Sequence, residues 1–572
     1  MRHKYDSSIG KNQLIVEGRA SGKILVCEEG LSFWGGVDPN TGAIIDTHHP
    51  NHGDSVSGKC LLMPTSRGSC SGSGVLLQLA LKERAPAMII FNEPEQVLTL
   101  GSIVCDRIFG VPVPIICLSQ QNYYAVAREK LVELRDHKLV LAEQTIGLDP
   151  MSKDLLVLSE NDHAYLKGDH GDVAKAAMET ICVMAAVENA SSLIDVDRGH
   201  IDGCILAHDA NLIFAEKMAE LGAKVIIPTT INAISVDREN WQNSGLDEDF
   251  GKRASRLADA YIEMGVERTF TCAPYLLTDK PQLGENIGWS ESNAVIFANT
   301  VLGARTQKHP DYLDLFIAMT GRAPSVGMYS TLGRKARVKI EVTIPQKWSS
   351  DDEVLWPLIG WLAGKLSPDS VPLITGLEHL SPTIDDLKSL CAAFGTTSGA
   401  PMLHILGQTP ESSNQNAEQL PIHLINPENL KDAWFELNRG LEKIDLVAVG
   451  SPHASIEEIR KISALFAGRR RHVQTQMKIT AARHTIQRAE AEGITKKLED
   501  AGVQIMPDLC WCSIIEPIFP PEAKGLMTNS GKYAHYAHGL SNRHSRLGSL
   551  RECVEAAISG FAAHELPAWL VA

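Results

Sequence analysis

Short aliphatic runs of the strand type alternate with amphipathic helical stretches along almost the whole chain, and this alternation restricts the architecture more than any other property of the sequence. Lys23–Cys27, Ala87–Phe91, Pro114–Leu118, Lys224–Pro228, Arg268–Cys272, Leu403–Leu406, Asp445–Val449 and Val503–Met506 read as strands. Between them, Ala174–Val187 places its apolar residues on one 3.6-residue stripe. Leu212–Leu221 ends at Gly222, a favourable residue just past a helix. Asn122–Arg135 reads as a long charged helix, and Asp385–Phe394 and Ala294–Leu302 as further helices. Strands and helices in alternation predict an α/β protein with parallel sheets and several layers. Neither a repeat nor a low-complexity segment interrupts the pattern.

A chain of 572 residues is expected to form about four compact units rather than one core. The polar stretch Leu148-Asp149-Pro150-Met151-Ser152 predicts a boundary, with a smaller unit over residues 1–150 and a larger body over 151–572. The formal charge of −15 argues against a nucleic-acid or anionic-membrane partner, which would require a basic face, but leaves room for a pocket that takes one small anion. Twelve cysteines in such a length do not make a disulfide scaffold. Met1–Ser8 has no apolar core of the signal-peptide kind, and the apolar runs fall well short of the roughly 20 residues of a membrane span. A cytoplasmic, reduced chain that works as a monomer on a small molecule is the expectation.

The loops between elements carry the candidates for chemistry. Pro64–Gly74 is a small-residue loop feeding the apolar run Val75–Leu81, an arrangement that turns backbone N–H groups and a helix dipole toward an anion. It is neither a dinucleotide fingerprint nor a phosphate-binding P-loop. Glycines at 68 and 72 flank Cys70 in a G-x-C-x-G turn, so a Cys70 hydrolase is one reading and a serine-capped helix entry another. Cys272 and Cys510 stand at the ends of strand-like runs, where open α/β sheets bind ligands, and Cys391 borders the polar stretch Gly395–Gly399. Three thiolates converging from distant parts of a chain suit an iron–sulfur cluster with one position not held by cysteine, whereas three unrelated buried thiols would do nothing. Cys510-Trp511-Cys512 lacks the spacing of a zinc ribbon. Pro228–Asn232, Gly288–Asn293, Gly303–Thr306, Gly450–Ser455 and Thr528–Lys532 are further polar loops; Ser455 and Glu458 form a capping-box pattern. His200 and His453 read as hydrogen-bonded loop histidines rather than bases. A small-anion-binding protein without catalysis fits these loops taken singly.

Taken together the loops resemble the aconitase X family. The likeness rests on Trp289-Ser290-Glu291-Ser292-Asn293-Ala294 through Asn299 to Gly303-Ala304-Arg305-Thr306. Pro228-Thr229-Thr230-Ile231-Asn232, Thr271-Cys272-Ala273-Pro274-Tyr275, Thr528-Asn529-Ser530-Gly531-Lys532 and the Arg67–Gly74 loop add to it, in that family's order. The resemblance implies an aconitase-like multi-layer α/β body with an N-terminal swivel domain, and dehydration of a hydroxylated carboxylate at an iron–sulfur centre. The single-chain form is similar to the bacterial branch, which converts cis-3-hydroxy-L-proline to Δ1-pyrroline-2-carboxylate. The archaeal branch, split into two subunits, acts on mevalonate 5-phosphate and supplies the alternative substrate.

The same resemblance implies residue roles. The archaeal motif has a cysteine before Pro-His, but this chain has Ser451-Pro452-His453, so Cys272, Cys391 and Cys510 are the implied ligands and [2Fe–2S] the implied cluster. Ser71 is the implied base, with its alkoxide supported by Arg67, Lys532 and the helix start. Ser69, Cys70, Thr230, Asn232, Ser290, Ser292, Ser530 and Lys532 are the implied substrate contacts. Arg305 is either a further contact or a structural ion-pair residue.

Overall fold

A computed structural model of the chain describes residues 12–152, 154–562 and 565–571, so the reading of Met1–Ser8 lies outside the described residues. The chain divides into two compact units. The first comprises residues up to 229 together with 260–265 and 309–326, and the second holds 230–259, 266–308 and 327–572.

The first unit is organised by a nine-stranded sheet. At its centre Ala20–Val26, Cys60–Leu62, Met88–Phe91 and Ile115–Cys117 pair in parallel. Cys60–Leu62 and Met88–Phe91 are buried throughout, as expected of strands covered on both faces. Gln13–Val16 pairs antiparallel to Ile115–Cys117 on one side and takes Asp149–Pro150 in parallel as the edge strand, and Leu131–Arg135, Lys138–Val140 and Thr145–Gly147 extend the other side as an antiparallel meander. Helix Gly72–Leu81 packs against helix Val97–Phe109. Glu95 ties the start of the second helix to the loop that precedes the first: its buried carboxylate accepts the amides of Val97 (2.8 Å), Leu98 (2.9 Å) and Thr99 (2.9 Å), and the hydroxyl of Ser66. A carboxylate at the start of a helix satisfies amides that have no partner within it.

Helix Asp172–Val187 forms where the apolar stripe predicts it. Nearby, the fully buried Asp162 serves twice: it completes a capping box with Ser159 and accepts two hydrogen bonds from Arg322, at 2.8 and 3.0 Å. Burial pushes the Asp162 carboxyl up, but the hydrogen bonds from Arg322 and Ser159 outweigh it and hold it below the usual carboxylate range. The stabilisation is therefore present above the ordinary carboxylate pKa and lost as pH falls through the lowered one. Asp162→Ala should cost about 3 kcal/mol at neutral pH, because it leaves the buried guanidinium only the exposed Asp195 and the Leu193 carbonyl, and the difference from the parent should shrink in acid. Denaturant titrations of both proteins at neutral and acidic pH measure it.

The second unit holds two parallel sheets. One has the order His404–Ile405, Pro372–Thr375, Val338–Val342, Ile422–Ile425. The other runs Val503–Pro507, Gln476–Ala481, Leu446–Val449, Leu526–Thr528, Ser545–Leu547. Helices Leu355–Leu366 and Ile384–Thr397 pack together within the core of the first of these sheets. The capping box at Ser455 and Glu458 is formed. Among the described residues, no helix is long and apolar enough to cross a membrane.

Three expected elements differ. In place of a helix over Asn122–Arg135, a short helix Gln120–Val126 is followed by the strand Leu131–Arg135. Val132 and Leu134 alternate inward there against the antiparallel partner Ala20–Lys23, so a period of two overrides the charged, helix-like composition. Lys224–Pro228 is extended but not a strand; Val225 and Ile226 bond singly to the carbonyls of Met264 and Ala318 (both 2.9 Å), and pairing begins only at Thr229. Arg268–Cys272 is broken as a strand by Phe270, whose φ of +37° turns the backbone out of the extended region.

Candidate active site

In the second unit, three loops leave the carboxyl ends of strands in one parallel sheet. Gly450–Ser455 follows Leu446–Val449, Asp508–Cys512 follows Val503–Pro507, and Asn529–Lys532 follows Leu526–Thr528. This is where open α/β sheets place their ligands. The loops are tied to one another. Ser530 donates its hydroxyl to the carbonyl of Ser451, and His453 spans to Leu509 and Thr271. The Nε2 of His453 faces the Leu509 carbonyl at 2.6 Å and must carry the proton, which leaves Nδ1 to accept from the Thr271 hydroxyl at 3.2 Å. Burial pushes this imidazole down to about 4, so it is neutral. It is the hydrogen-bonded loop histidine that the sequence suggests.

The amide of His453 donates to the sulfur of Cys272 at 3.3 Å. Cys272, Cys510 and Cys512 pack around Ala233, and Cys510 shares hydrogen bonds with both other thiols. The bond with Cys272, together with burial, pushes the Cys510 thiol up, and the bond with Cys510 does the same to Cys512. Cys391 lies inside helix Ile384–Thr397, which continues through the glycine expected to start a loop. Its thiol is raised by burial among the aliphatic side chains of that core, and the buried phenol of Tyr275 senses the charge of both Cys272 and Cys391.

Beside the thiols stands an ion pair. Lys532 Nζ lies 3.0 Å from Glu291 Oε1, both side chains being nearly buried. Glu291 caps helix Ser292–Phe297 through the amide of Ala294 (2.7 Å) and also bonds Asn293, which passes the contact on to the Cys272 carbonyl (3.1 Å) and the Tyr275 hydroxyl (2.8 Å). Burial alone would push the Glu291 carboxyl up, yet Lys532 and the bonds from Ala294 and Asn293 hold it below the usual range. Burial likewise opposes the charge on Lys532, but Glu291 and the sulfurs of Cys512, Cys510 and Cys272 hold it well above its ordinary value. Ser530 and Lys532 start helix Gly531–Ser541, with Ser530 accepting the amide of Tyr533 at 3.0 Å. A Cβ on Gly531 would come 2.7 Å from Pro357 and 3.2 Å from Ala393, so glycine alone lets the helix approach this closely.

Of the other expected contacts in this unit, Asn232 accepts the amide of Ala233 (2.7 Å) and so borders the thiols, following Thr230 in the chain. Ser290 is buried and Ser292 opens its helix. Arg305 donates to the Tyr329 carbonyl (2.9 Å) and pairs with Glu411 (3.9 Å), the structural alternative.

The first unit holds the serine loop. Ser71 occupies the N-cap of helix Gly72–Leu81, but its hydroxyl makes no capping bond. It lies 3.4 Å from the Ser69 hydroxyl and hydrogen-bonds Asp311 instead. Cys70 is buried, with its thiol 3.7 Å from Asp202 Oδ2. Carboxylate neighbours oppose the electropositive setting that activates a cysteine nucleophile. Arg67 is half-exposed and shared between Glu29 (3.4 Å) and Asp46 (3.3 Å), so its charge is already partly matched. Sequence reasoning missed Asp202, Asp311, Glu291 and Cys512. Asp202 lies in the loop that holds His200, Cys512 lacks zinc-ribbon spacing, Glu291 stands inside the Trp289–Asn293 motif, and no local signal marks Asp311.

The thiol group suits an iron–sulfur cluster. Cys510 bonds both to the buried Cys272 and to the partly buried Cys512, a backbone N–H points at Cys272, and a lysine offsets negative charge, features that hold and tune cluster thiolates. Comparison with known proteins agrees. The aconitase X swivel-domain model matches residues 9–142, and the first, second and third aconitase X domains match 155–331, 336–435 and 444–559. A cis-3-hydroxy-L-proline dehydratase of Pseudomonas aeruginosa is 45% identical over 97% of each chain, and one of Hypocrea jecorina is 40% identical over 98% of this chain and 97% of its own. The phosphomevalonate dehydratase large subunit of Methanocaldococcus jannaschii is 31% identical, covering 70% of this chain and all of its own. The crystal structure of Thermococcus kodakaraensis aconitase X superposes with a TM-score of 0.63 at 29% identity, over 70% of this chain and all of that one. The chain therefore belongs to the aconitase X family of dehydratases, in the fused form that carries the swivel domain and the three further domains on one polypeptide.

Proposed function

We propose that the chain dehydrates cis-3-hydroxy-L-proline. The observation that carries this reading is full-length similarity to relatives of that name, against partial coverage by the phosphomevalonate dehydratase large subunits. Loss of the C2 proton and the C3 hydroxyl as water gives an enamine, which tautomerises to Δ1-pyrroline-2-carboxylate. Residues 1–150 are assigned to the swivel domain and 151–572 to the body, working in the cytoplasm as one chain and as a monomer. Twelve free cysteines accord with a reduced compartment.

Cys272, Cys510 and Cys391 are assigned to the cluster, taken as [2Fe–2S]. The bond between Cys510 and Cys512 favours a second reading, with Cys512 in the third position. When bound, the cluster supplies a Lewis acid for the departing hydroxyl. Ser71 takes the C2 proton, its hydroxyl standing at a helix start where the dipole favours negative charge. Arg67 contributes to that field only what Glu29 and Asp46 leave unmatched. Lys532 and Ser530 hold the substrate carboxylate, with Ser69, Cys70, Thr230, Asn232, Ser290 and Ser292 as the remaining contacts. Purified protein carrying iron and acid-labile sulfide should turn over cis-3-hydroxy-L-proline and leave mevalonate 5-phosphate unchanged in parallel assays. The opposite preference would transfer the chain to the other branch, and absence of iron and turnover would leave only an anion-binding protein.

A further inference from the structure

Apart from the thiol group, the first unit contains a second concentration of donor atoms. The sulfur of Cys70 and one carboxylate oxygen each of Asp202 and Asp311 lie within 4.8 Å of one another. The backbone ties these residues together: Asp311 donates its amide to the Cys70 carbonyl (3.4 Å), and the Asp202 amide is held by Asp314 (2.8 Å). Asp311 is 4% exposed and accepts hydrogen bonds from Cys70 and Ser71, yet its Oδ1 has no partner among the described residues. Leaving a buried carboxylate oxygen unpartnered is costly, and such groups persist where a ligand completes them. Burial also pushes the Asp311 carboxyl up, and the hydrogen bonds from Cys70 and Ser71 only partly offset it.

We infer that Asp311, with Asp202, forms a cation subsite that receives the ring ammonium of the substrate. The inference rests on the reading of Ser71 and of cis-3-hydroxy-L-proline given above. In that substrate the nitrogen is bonded directly to C2, the carbon that loses its proton. The residue that holds the nitrogen should therefore adjoin the residue that takes the proton, and Asp311 is hydrogen-bonded to Ser71. The ammonium also removes an electrostatic penalty, since an alkoxide on Ser71 beside carboxylates is unfavourable until a positive charge lies between them. The same carboxylates repel a phosphate dianion, so the subsite selects an amino acid over a phosphorylated hydroxy acid.

Isothermal titration of the iron-loaded protein with L-proline and with tetrahydrofuran-2-carboxylate, which has oxygen in place of the ring nitrogen, tests this. The parent should bind proline at least about 10-fold more tightly, the lower range for a charge-assisted hydrogen bond. Asp311→Asn should bring the two affinities within about 2-fold while keeping the iron and sulfide content, and Asp202→Asn should narrow the gap in the same sense. A preference undiminished in Asp311→Asn overturns the subsite alone. So does equal binding of the two compounds by the parent, which needs no variant to fold. So does a divalent metal other than iron that is present in the parent and lost in Asp311→Asn, which would make the site a metal site. A parent that binds neither compound and turns over mevalonate 5-phosphate overturns the substrate reading, and the subsite with it.

Discussion

Cys272→Ser is expected to yield a folded protein with no visible iron–sulfur absorption and with turnover at background. The site around Cys272 is built for a thiolate: its sulfur receives the His453 amide at 3.3 Å, shares a hydrogen bond with Cys510, and lies in the field of Lys532. Serine preserves the volume but keeps its proton and binds iron poorly. Absorption spectra with iron and sulfide counts give the result, and parent-like values would remove Cys272 from the ligand set. The same measurement settles the third ligand. Cys391→Ser should lose the absorption and Cys512→Ser should retain it; the reverse outcome would assign the position to Cys512.

Ser71→Ala should keep the absorption and lose about 10²- to 10⁴-fold in turnover, the usual contribution of a positioned acid or base. The structure makes this a clean substitution. The Ser71 hydroxyl does not cap its helix, so its removal should leave the helix start intact, while Asp311 loses one donor. Rapid assays alongside spectra separate loss of chemistry from loss of the cluster. Parent-like turnover would place the base elsewhere, with Asp311, hydrogen-bonded to Ser71, the next residue to substitute.

The strands 446–449 and 503–507 are legible because the first is a short buried aliphatic run and the second is a mostly apolar run, Val503, Ile505 and Met506, closed by Gly450 and by Pro507-Asp508 respectively. The loops at their carboxyl ends were legible for the same reason, since parallel sheets put polar loops there. Leu131–Arg135 was not, because a charged alternating segment becomes a strand only when an antiparallel partner is supplied. The backbone turn at Phe270 leaves no mark in composition. In the site, serines, cysteines and Lys532 could be named from motifs, but their partners could not. Asp311 is 240 residues from Ser71, and Glu291 is 241 from Lys532; these pairings exist only after folding. Cys512 is the opposite case: it is visible in the sequence two residues from Cys510, but zinc-ribbon spacing along the chain says little about which sulfurs meet in space.

Glu95 gives the serine loop a property that matters on the timescale of turnover. With three amides of one helix and the Ser66 hydroxyl on a single buried carboxylate, the base of the loop is fixed when the chain folds. The entropy of ordering it is then lost once in the life of the molecule, rather than at each encounter with substrate. The amides of Leu98 and Thr99 should accordingly exchange with solvent deuterium only through large-scale opening, at the same slow rate with or without ligand.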